Sequence, residues 1–310
     1  LYCPDCEPVK AVYSTPLGAC YCGDSLDLMA SLADKSVDLV LTSPPFALTR
    51  KKEYGNKDAD EYVEWFLRFA PEIKRILKPE GSFVLDLGGA YLPGVPVRSI
   101  YQFDLLVRLC KDHDFYLAQE FFHYNPARLP SPAEWVNIRR IRVKDAVNTV
   151  WWLSLEPFPK ADNRSVLKPY SESMKTLLKN GYKAKKRPSG HNISKKFLKK
   201  NKGAIPPNLL SLPNTRSNTH YLRRCKAEGI NPHPARFPEE FPEFFIKFLT
   251  EPDDVVLDIF AGSNTTGFVA ERLNRKWLAF EKNREYAEAS YLRFEPEGPL
   301  FSGATHGETT

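Results

Sequence analysis

The sequence predicts a doubly wound α/β domain with a mostly parallel sheet, interrupted by a smaller insert. Three observations carry this. Apolar runs of strand length alternate with segments of helical periodicity toward both ends of the chain. Those runs place apolar residues at consecutive positions, as strands covered on both faces do. Between the two alternating regions lies a stretch rich in proline, lysine and asparagine where the alternation fades. The 310 residues suffice for one large domain or two of ordinary size. At 42% hydrophobic and 26% charged residues, wholesale disorder is excluded.

Taken in order, 19–23 is a short strand, and Asp24 stands where a cap would open a helix carrying Leu26, Leu28, Met29 and Leu32. Residues 37–41 form a buried strand with one charge, Asp38, and Pro44-Pro45 must end it. Tyr62, Phe66, Phe69, Ile73 and Leu77 at helical spacing predict one long helix over 59–77. Lys78-Pro79-Glu80-Gly81 is a turn, and 82–87 is a strand that stops at Gly88-Gly89. A helix over 105–113 and extended segments over 116–124 and 149–155 follow. Beyond the irregular stretch, the pattern predicts a helix (241–249), a strand (255–260), a helix (265–273), a strand (276–281) and a helix (285–294). The organisation expected is a catalytic region over 1–156, a basic insert over 157–231, a region over 232–296 that completes the first, and a frayed tail over 297–310.

The net charge of +6 hides an asymmetry. Residues 181–230 hold thirteen Lys and Arg against Glu228 alone, so this segment is +12 and the rest of the chain −6. Clustered cations gain affinity for a polyanion by releasing its counterions. The residues expected to contact phosphate are Lys185, Lys186, Arg187, Lys195, Lys196, Lys199, Lys200, Arg216, Arg223 and Arg224; a solvated loop is the plainer alternative. Four of six cysteines crowd the N-terminus as Cys3-x-x-Cys6 and Cys20-x-Cys22. A four-thiolate zinc site is conceivable, but strand alternation turns Cys20 and Cys22 to one side, into a core, and no metal is assigned. No apolar stretch reaches the roughly 18–20 residues that cross a bilayer. Leu1–Pro8 carries Asp5 and Glu7 without an apolar run, so a cytoplasmic location with free thiols is expected.

Two clusters carry chemistry. In Asp258-Ile259-Phe260-Ala261-Gly262-Ser263-Asn264-Thr265-Thr266-Gly267, an apolar strand gives way to a tight turn and a helix. Gly262-x-Asn264-x-x-Gly267 is similar to the dinucleotide fingerprint with Asn at the middle position, and Asn tolerates left-handed backbone angles. Glu281 follows at the end of the next strand, where an acid accepts from ribose hydroxyls. Alone, this pattern implies an adenosine-containing ligand or an ordinary strand-turn-helix. The second cluster, Thr42-Ser43-Pro44-Pro45-Phe46, makes a rigid loop at a strand's C-terminal edge, offering a hydroxyl, the Pro44 carbonyl and a flat ring.

Together these residues resemble the amino-methylating DNA methyltransferases, whose target loop is Ser/Asp/Asn-Pro-Pro-aromatic. The target loop precedes the cofactor turn here, which is the permuted order of the β group. The resemblance runs over 23–294. It is most specific in 42–48, 135–152, His233-Pro-Ala-Arg-Phe-Pro238 and 258–271, where it points to the cytosine-N4 modification enzymes. It implies a Rossmann-like methyltransferase fold in which the insert recognises the target. S-adenosylmethionine is the implied cofactor, and double-stranded DNA the implied partner. A separately encoded restriction endonuclease is a further partner, with a homodimer left open beside a monomer; no membrane partner is expected. The implied catalytic residues are Ser43, Pro44, Pro45 and Phe46. Those implied for the cofactor are Tyr21, Cys22, Gly23 and Asp24, then Ser43, His233 and Phe237, and then Asp258, Phe260, Ala261, Gly262, Ser263, Asn264, Thr265, Thr266 and Glu281. For Asp24 a plain helix cap, and for Asp258 a structural partner of the turn, stay open. So do an adenine-N6 enzyme of the same group and a non-catalytic DNA-binding module. Methylation at cytosine C5 would need a nucleophilic Cys, and the chain has no Pro-Cys dipeptide.

Overall fold

The structure is a computed structural model that describes residues 9–47, 59–181, 201–215 and 219–295. Nine strands make one mixed sheet: β1 (Tyr13–Ser14), β2 (Gly18–Cys22), β3 (Val37–Thr42), β4 (Leu77–Leu87), β5 (Tyr116–Tyr124), β6 (Val147–Ser154), β7 (Leu209–Ser211), β8 (Val255–Asp258) and β9 (Lys276–Glu281). The helices are α1 (Ser25–Ala30), α2 (Ala59–Leu67), α3 (Ala70–Ile76), α4 (Tyr101–Lys111), α5 (Glu172–Asn180), α6 (His220–Ala227), α7 (Glu240–Leu249), α8 (Thr265–Arg272) and α9 (Arg284–Ser290). The strand order is β1-β2-β9-β8-β3-β4-β6-β5-β7. Neighbours from β2 through β9, β8 and β3 to β4 are parallel. β6 runs antiparallel to both β4 and β5, and β1 is antiparallel to β2. Among the described residues no helix is long and apolar enough to cross a membrane.

Successive strand side chains point to opposite faces, and here each face has its own core. On β6, Trp151 and Leu153 join one cluster while Val150 and Trp152 join the other; on β9, Leu278 and Phe280 oppose Trp277 and Ala279. The first cluster is closed by α1 to α4 through Met29, Phe66, Ile73 and Leu105, the second by α7 to α9 through Phe245, Val269 and Ala287. This is why the strands read as unbroken apolar runs. Asp38, the one charge in β3, is buried, takes an ion pair from Lys78 at 2.8 Å and accepts from the Val255 N–H at 2.9 Å. Cys20 sits in the second core and Cys22 packs at its margin, on the same side as expected. Cys3 and Cys6 lie outside the described residues.

Three expectations are corrected. The long helix over 59–77 is two helices, because Pro71 in the first turn of α3 has no N–H to return to the preceding turn. The apolar stripe survives the break, with Tyr62, Phe66, Phe69 and Ile73 all buried. Lys78–Gly81 is no free turn but an excursion within β4: Val37 pairs with Leu77, and Leu39 already with Ser82. The helix expected over 285–294 ends at Ser290 and tightens into a 3-10 turn, Tyr291–Arg293. Within 157–231, three described pieces contact the main sheet or its flanking helices. β7 extends the main sheet beside β5, Asp162 N–H bonds the Phe248 carbonyl at 2.8 Å, and α6 packs Tyr221 and Cys225 on Leu292. β1, β7, α5 and α6 were not legible as elements. The first two are too short to show a period, and the helices are mostly polar.

Candidate active site

Adjacent strands β3 and β8 send their chains in opposite directions along the sheet, β3 toward β4 and β8 toward β9. Their C-terminal ends therefore flank the switch point, where open α/β sheets bind ligands. The two chemistry-bearing clusters of the sequence follow these two strands. A clasp joins them: Asp258, 2% exposed, accepts from Thr42 Oγ1 and from Thr266 Oγ1, each at 2.7 Å, and from the Phe260 N–H at 3.1 Å. Burial pushes this carboxyl above its ordinary pKa, and the three donors pull it back. Asp258 thus bonds within the turn and couples that turn to the Ser43 loop.

The turn after β8 is built as the spacing required. Asn264 takes the left-handed conformation at φ 50° and caps α8 by accepting from the Gly267 N–H at 3.0 Å. A side chain at Gly267 would lie 2.3 Å from that Asn264 oxygen, so only glycine fits. Glu281 accepts from the Gly262 N–H and the Asn283 N–H, both at 2.8 Å, and burial raises its pKa against those bonds. Asp24 caps α1 through the Leu26 N–H at 3.1 Å and meets Lys282 at 3.2 Å. Arg293, unforeseen from the sequence, is buried; it donates to the Ser263 carbonyl at 2.5 Å and to Ser263 Oγ at 2.9 Å, with its guanidinium 4.4 Å from the Tyr221 ring centroid. Burial lowers its pKa to about 10. It ties the insert helix α6 to the turn.

These parts surround one cleft of about 980 Å³. Its wall includes Asp24, Ser43, Pro44, Pro45, Phe46, His233, Phe237, Phe260, Ala261, Gly262, Ser263, Thr265 and Glu281. Tyr21, Cys22, Gly23, Asp258, Asn264 and Thr266 do not line it. Tyr21 instead packs edge-on against Phe280 in the core, at 6.1 Å between centroids. Cys22 Sγ donates to the Lys282 carbonyl, and the Gly23 N–H to that of Glu281. Phe69, read as helix core, and Trp65, not singled out in the sequence, turn their rings to Phe260 at 5.2 and 5.7 Å and line the cleft too.

This chain matches the DNA methylase family over residues 37–292. The chain belongs to that family. The methylase is 58% identical over 288 residues to the Type II methyltransferase M.PvuII of Proteus hauseri, covering 92% of this chain and 86% of that one. Among solved structures it is similar to the PvuII DNA methyltransferase (cytosine-N4-specific), with 52% identity, a TM-score of 0.77 and coverage of 93% and 90%. The M1.HpyAVI–SAM complex shares the fold at 18% identity and a TM-score of 0.52, covering 90% of this chain and all of that one.

Around Ser43 the methylase holds groups that sequence reasoning missed. Ser43 Oγ donates to Asp86 at 3.1 Å, Asn148 Nδ2 reaches the same oxygen at 3.4 Å, and Arg128 bonds Asn148 Oδ1 at 3.0 Å. Asp86 is buried, so desolvation raises its pKa, while His123 and these bonds oppose the rise. Among the described residues, Asp86 Oδ1 and both ring nitrogens of buried His123 lack a hydrogen-bond partner. The signal for Asp86 was visible: a carboxylate inside the apolar run of 82–87. Phe46 lies against Gly88, where a Cβ would come within 2.6 Å of the ring. Of the expected phosphate ligands, Lys185, Lys186, Arg187, Lys195, Lys196, Lys199, Lys200 and Arg216 lie outside the described residues. Arg224 pairs with Glu228 and Glu295, so its charge is neutralised within the fold. Arg223 stands on the same helix, α6.

Proposed function

We infer that this methylase transfers a methyl group from S-adenosylmethionine to the exocyclic N4 of a cytosine flipped out of double-stranded DNA. The observation that carries this is the clasp of Thr42 and Asp258, which sets Ser43-Pro44-Pro45-Phe46 beside the Gly262–Thr265 turn in one cleft. The likeness to a cytosine-N4-specific enzyme over most of both chains supports cytosine as the target.

The cleft suits the cofactor. Glu281 stands at the end of β9 to accept from ribose hydroxyls, Asp24 can accept from an adenine amino group, and Phe260 offers a ring face. Gly262 lets the backbone come close, at φ 51° and with His233 packed 3.1 Å from where a Cβ would stand. Bound there, S-adenosylmethionine would supply an electrophilic sulfonium methyl, which would leave a neutral thioether behind as the N4–CH3 bond forms and one amino proton goes to solvent.

The chain's own residues prepare the nitrogen. A cytosine amino group has its lone pair delocalised into the ring and is a poor nucleophile. With Ser43 Oγ and the Pro44 carbonyl accepting its two N–H bonds, the pyramidal nitrogen is favoured and its lone pair is aimed at the methyl. Ser43 Oγ can accept while it donates its own proton in a hydrogen bond to Asp86. Phe46, braced on Gly88, stacks on the flipped base. Catalysis is then orientation of a near-attack pair, without a covalent enzyme intermediate.

The role we propose is cytoplasmic, as the modification partner of a separately encoded endonuclease. The deciding test digests DNA from cells expressing the protein to nucleosides and identifies them by mass and retention. N4-methylcytosine is expected. N6-methyladenine would move the target to adenine, 5-methylcytosine would refute the mechanism, and no methylated base would leave a DNA-binding module.

A further inference from the structure

A base held in the Ser43 pocket leaves a gap in the duplex, and the chain carries a candidate to fill it. β5 and β6 are joined by residues 125–146, a connection much longer than the roughly 2–5 residues usual between antiparallel neighbours and carrying one helical turn, Glu134–Ile138. This connection stands over the target side of the cleft, which Arg128, Pro130, Pro132 and Glu134 help to line. It is held in place along its length. Arg128 bonds Asn148 at 3.0 Å, Lys144 Nζ reaches the Pro126 and Arg128 carbonyls at 3.0 and 3.2 Å, and Arg142 reaches the Pro96 carbonyl at 2.9 Å.

On this ordered frame Leu129, Ile138, Ile141 and Val143 are exposed, and of these Leu129 alone has both chain neighbours in the cleft wall. Leu129 is 80% exposed, although both its neighbours, Arg128 and Pro130, line the cleft. A short chain of hydrogen bonds leads from Arg128 through Asn148 and Asp86 to Ser43, so Leu129 stands at the rim of the proposed base pocket. The same connection carries exposed cations, Arg140, Arg142 and Lys144, of which Lys144 reaches the Arg128 carbonyl next to Leu129 at 3.2 Å. Apolar wedges that enter a base step beside phosphate-contacting cations are a known way for proteins to hold an unstacked duplex. A wedge on a rigid frame also loses little freedom on binding.

We propose that the 125–146 connection is a second DNA-contacting element, whose Leu129 side chain enters the base stack in place of the extruded cytosine while Arg140 and Arg142 approach the flanking phosphates. This rests on the base-flipping reading above and assigns to it a residue outside the basic insert.

The test uses the full chain and a duplex carrying the methylated site mapped in expressing cells. Single-turnover methylation is compared for wild type and Leu129→Ala on two duplexes. In one the target cytosine is paired with guanine; in the other it faces an abasic position and is already loosened. The wedge predicts a loss of roughly tenfold for Leu129→Ala on the paired duplex, because unstacking is no longer compensated. On the abasic duplex the variant should approach wild type, and affinity for S-adenosylmethionine should be unchanged. Because Leu129 is exposed, its truncation leaves the fold intact. An equal loss on both duplexes, or no loss on the paired one, overturns the wedge. If wild type forms no N4-methylcytosine, the functional reading fails first and this inference falls with it.

Discussion

The two halves of the cleft differ in how fully their polar groups are paired. On the cofactor half, Asp258 has three donors, Glu281 two backbone N–H groups, Asn264 its helix cap and Ser263 the buried Arg293. On the target half, one oxygen of Asp86 and both nitrogens of His123 are buried without a partner among the described residues. Buried polar atoms are nearly always bonded, so unpaired ones in a cleft point to a ligand that completes them. The half proposed for the cofactor is thus preorganised by the fold, whereas the half proposed for the target keeps polar atoms that a bound base would complete.

The largest effect should come from cutting the clasp between the halves. Asp258→Ala strands two hydroxyls and one N–H, each worth about 1–3 kcal/mol when buried without an acceptor. Urea denaturation should show a loss of about 3 kcal/mol or more in unfolding free energy. An unchanged midpoint would mean that the halves hold together without Asp258.

Two substitutions should then separate the halves. Glu281→Ala frees the Gly262 and Asn283 N–H groups and would remove the two charge-assisted ribose bonds proposed for this carboxylate. Calorimetry should show cofactor affinity weakened about a hundredfold. Ser43→Ala should leave that affinity nearly intact and lower the single-turnover rate roughly five- to a hundredfold, as expected for one orienting bond. If both variants shift the same quantity, the division of the cleft is wrong.

The smallest effect is a pH limb. The ionised Asp86 carboxylate accepts from Ser43 and Asn148, and its pKa is raised by burial. A raised pKa means protonation begins at higher pH than for a free aspartate, and the protonated group gives up an acceptor. With cofactor saturating, the rate should therefore fall as pH drops through the raised value. Asp86→Asn should flatten that limb at a lower plateau. A limb that persists in the variant belongs to another carboxyl, with Glu281 the next candidate because its pKa is raised too.

The alternation of strands and helices was legible because both faces of the sheet are covered, which leaves consecutive apolar residues in β3, β8 and β9. The turn after β8 was legible because local sterics select Asn264 and Gly267, and the Ser43 loop because two prolines stiffen it. These are short-range constraints, written within ten residues of chain. Tertiary structure alone decided the rest. It placed β3 against β8 so that Thr42 meets Asp258 across 216 positions, and it brought Asp86, Asn148 and Arg128 to Ser43 from three separate segments. It turned Tyr21 into the core and seated Arg293 under Ser263. The reason is physical: packing and long-range hydrogen bonds depend on which strands become neighbours, and no local period in the sequence encodes that order.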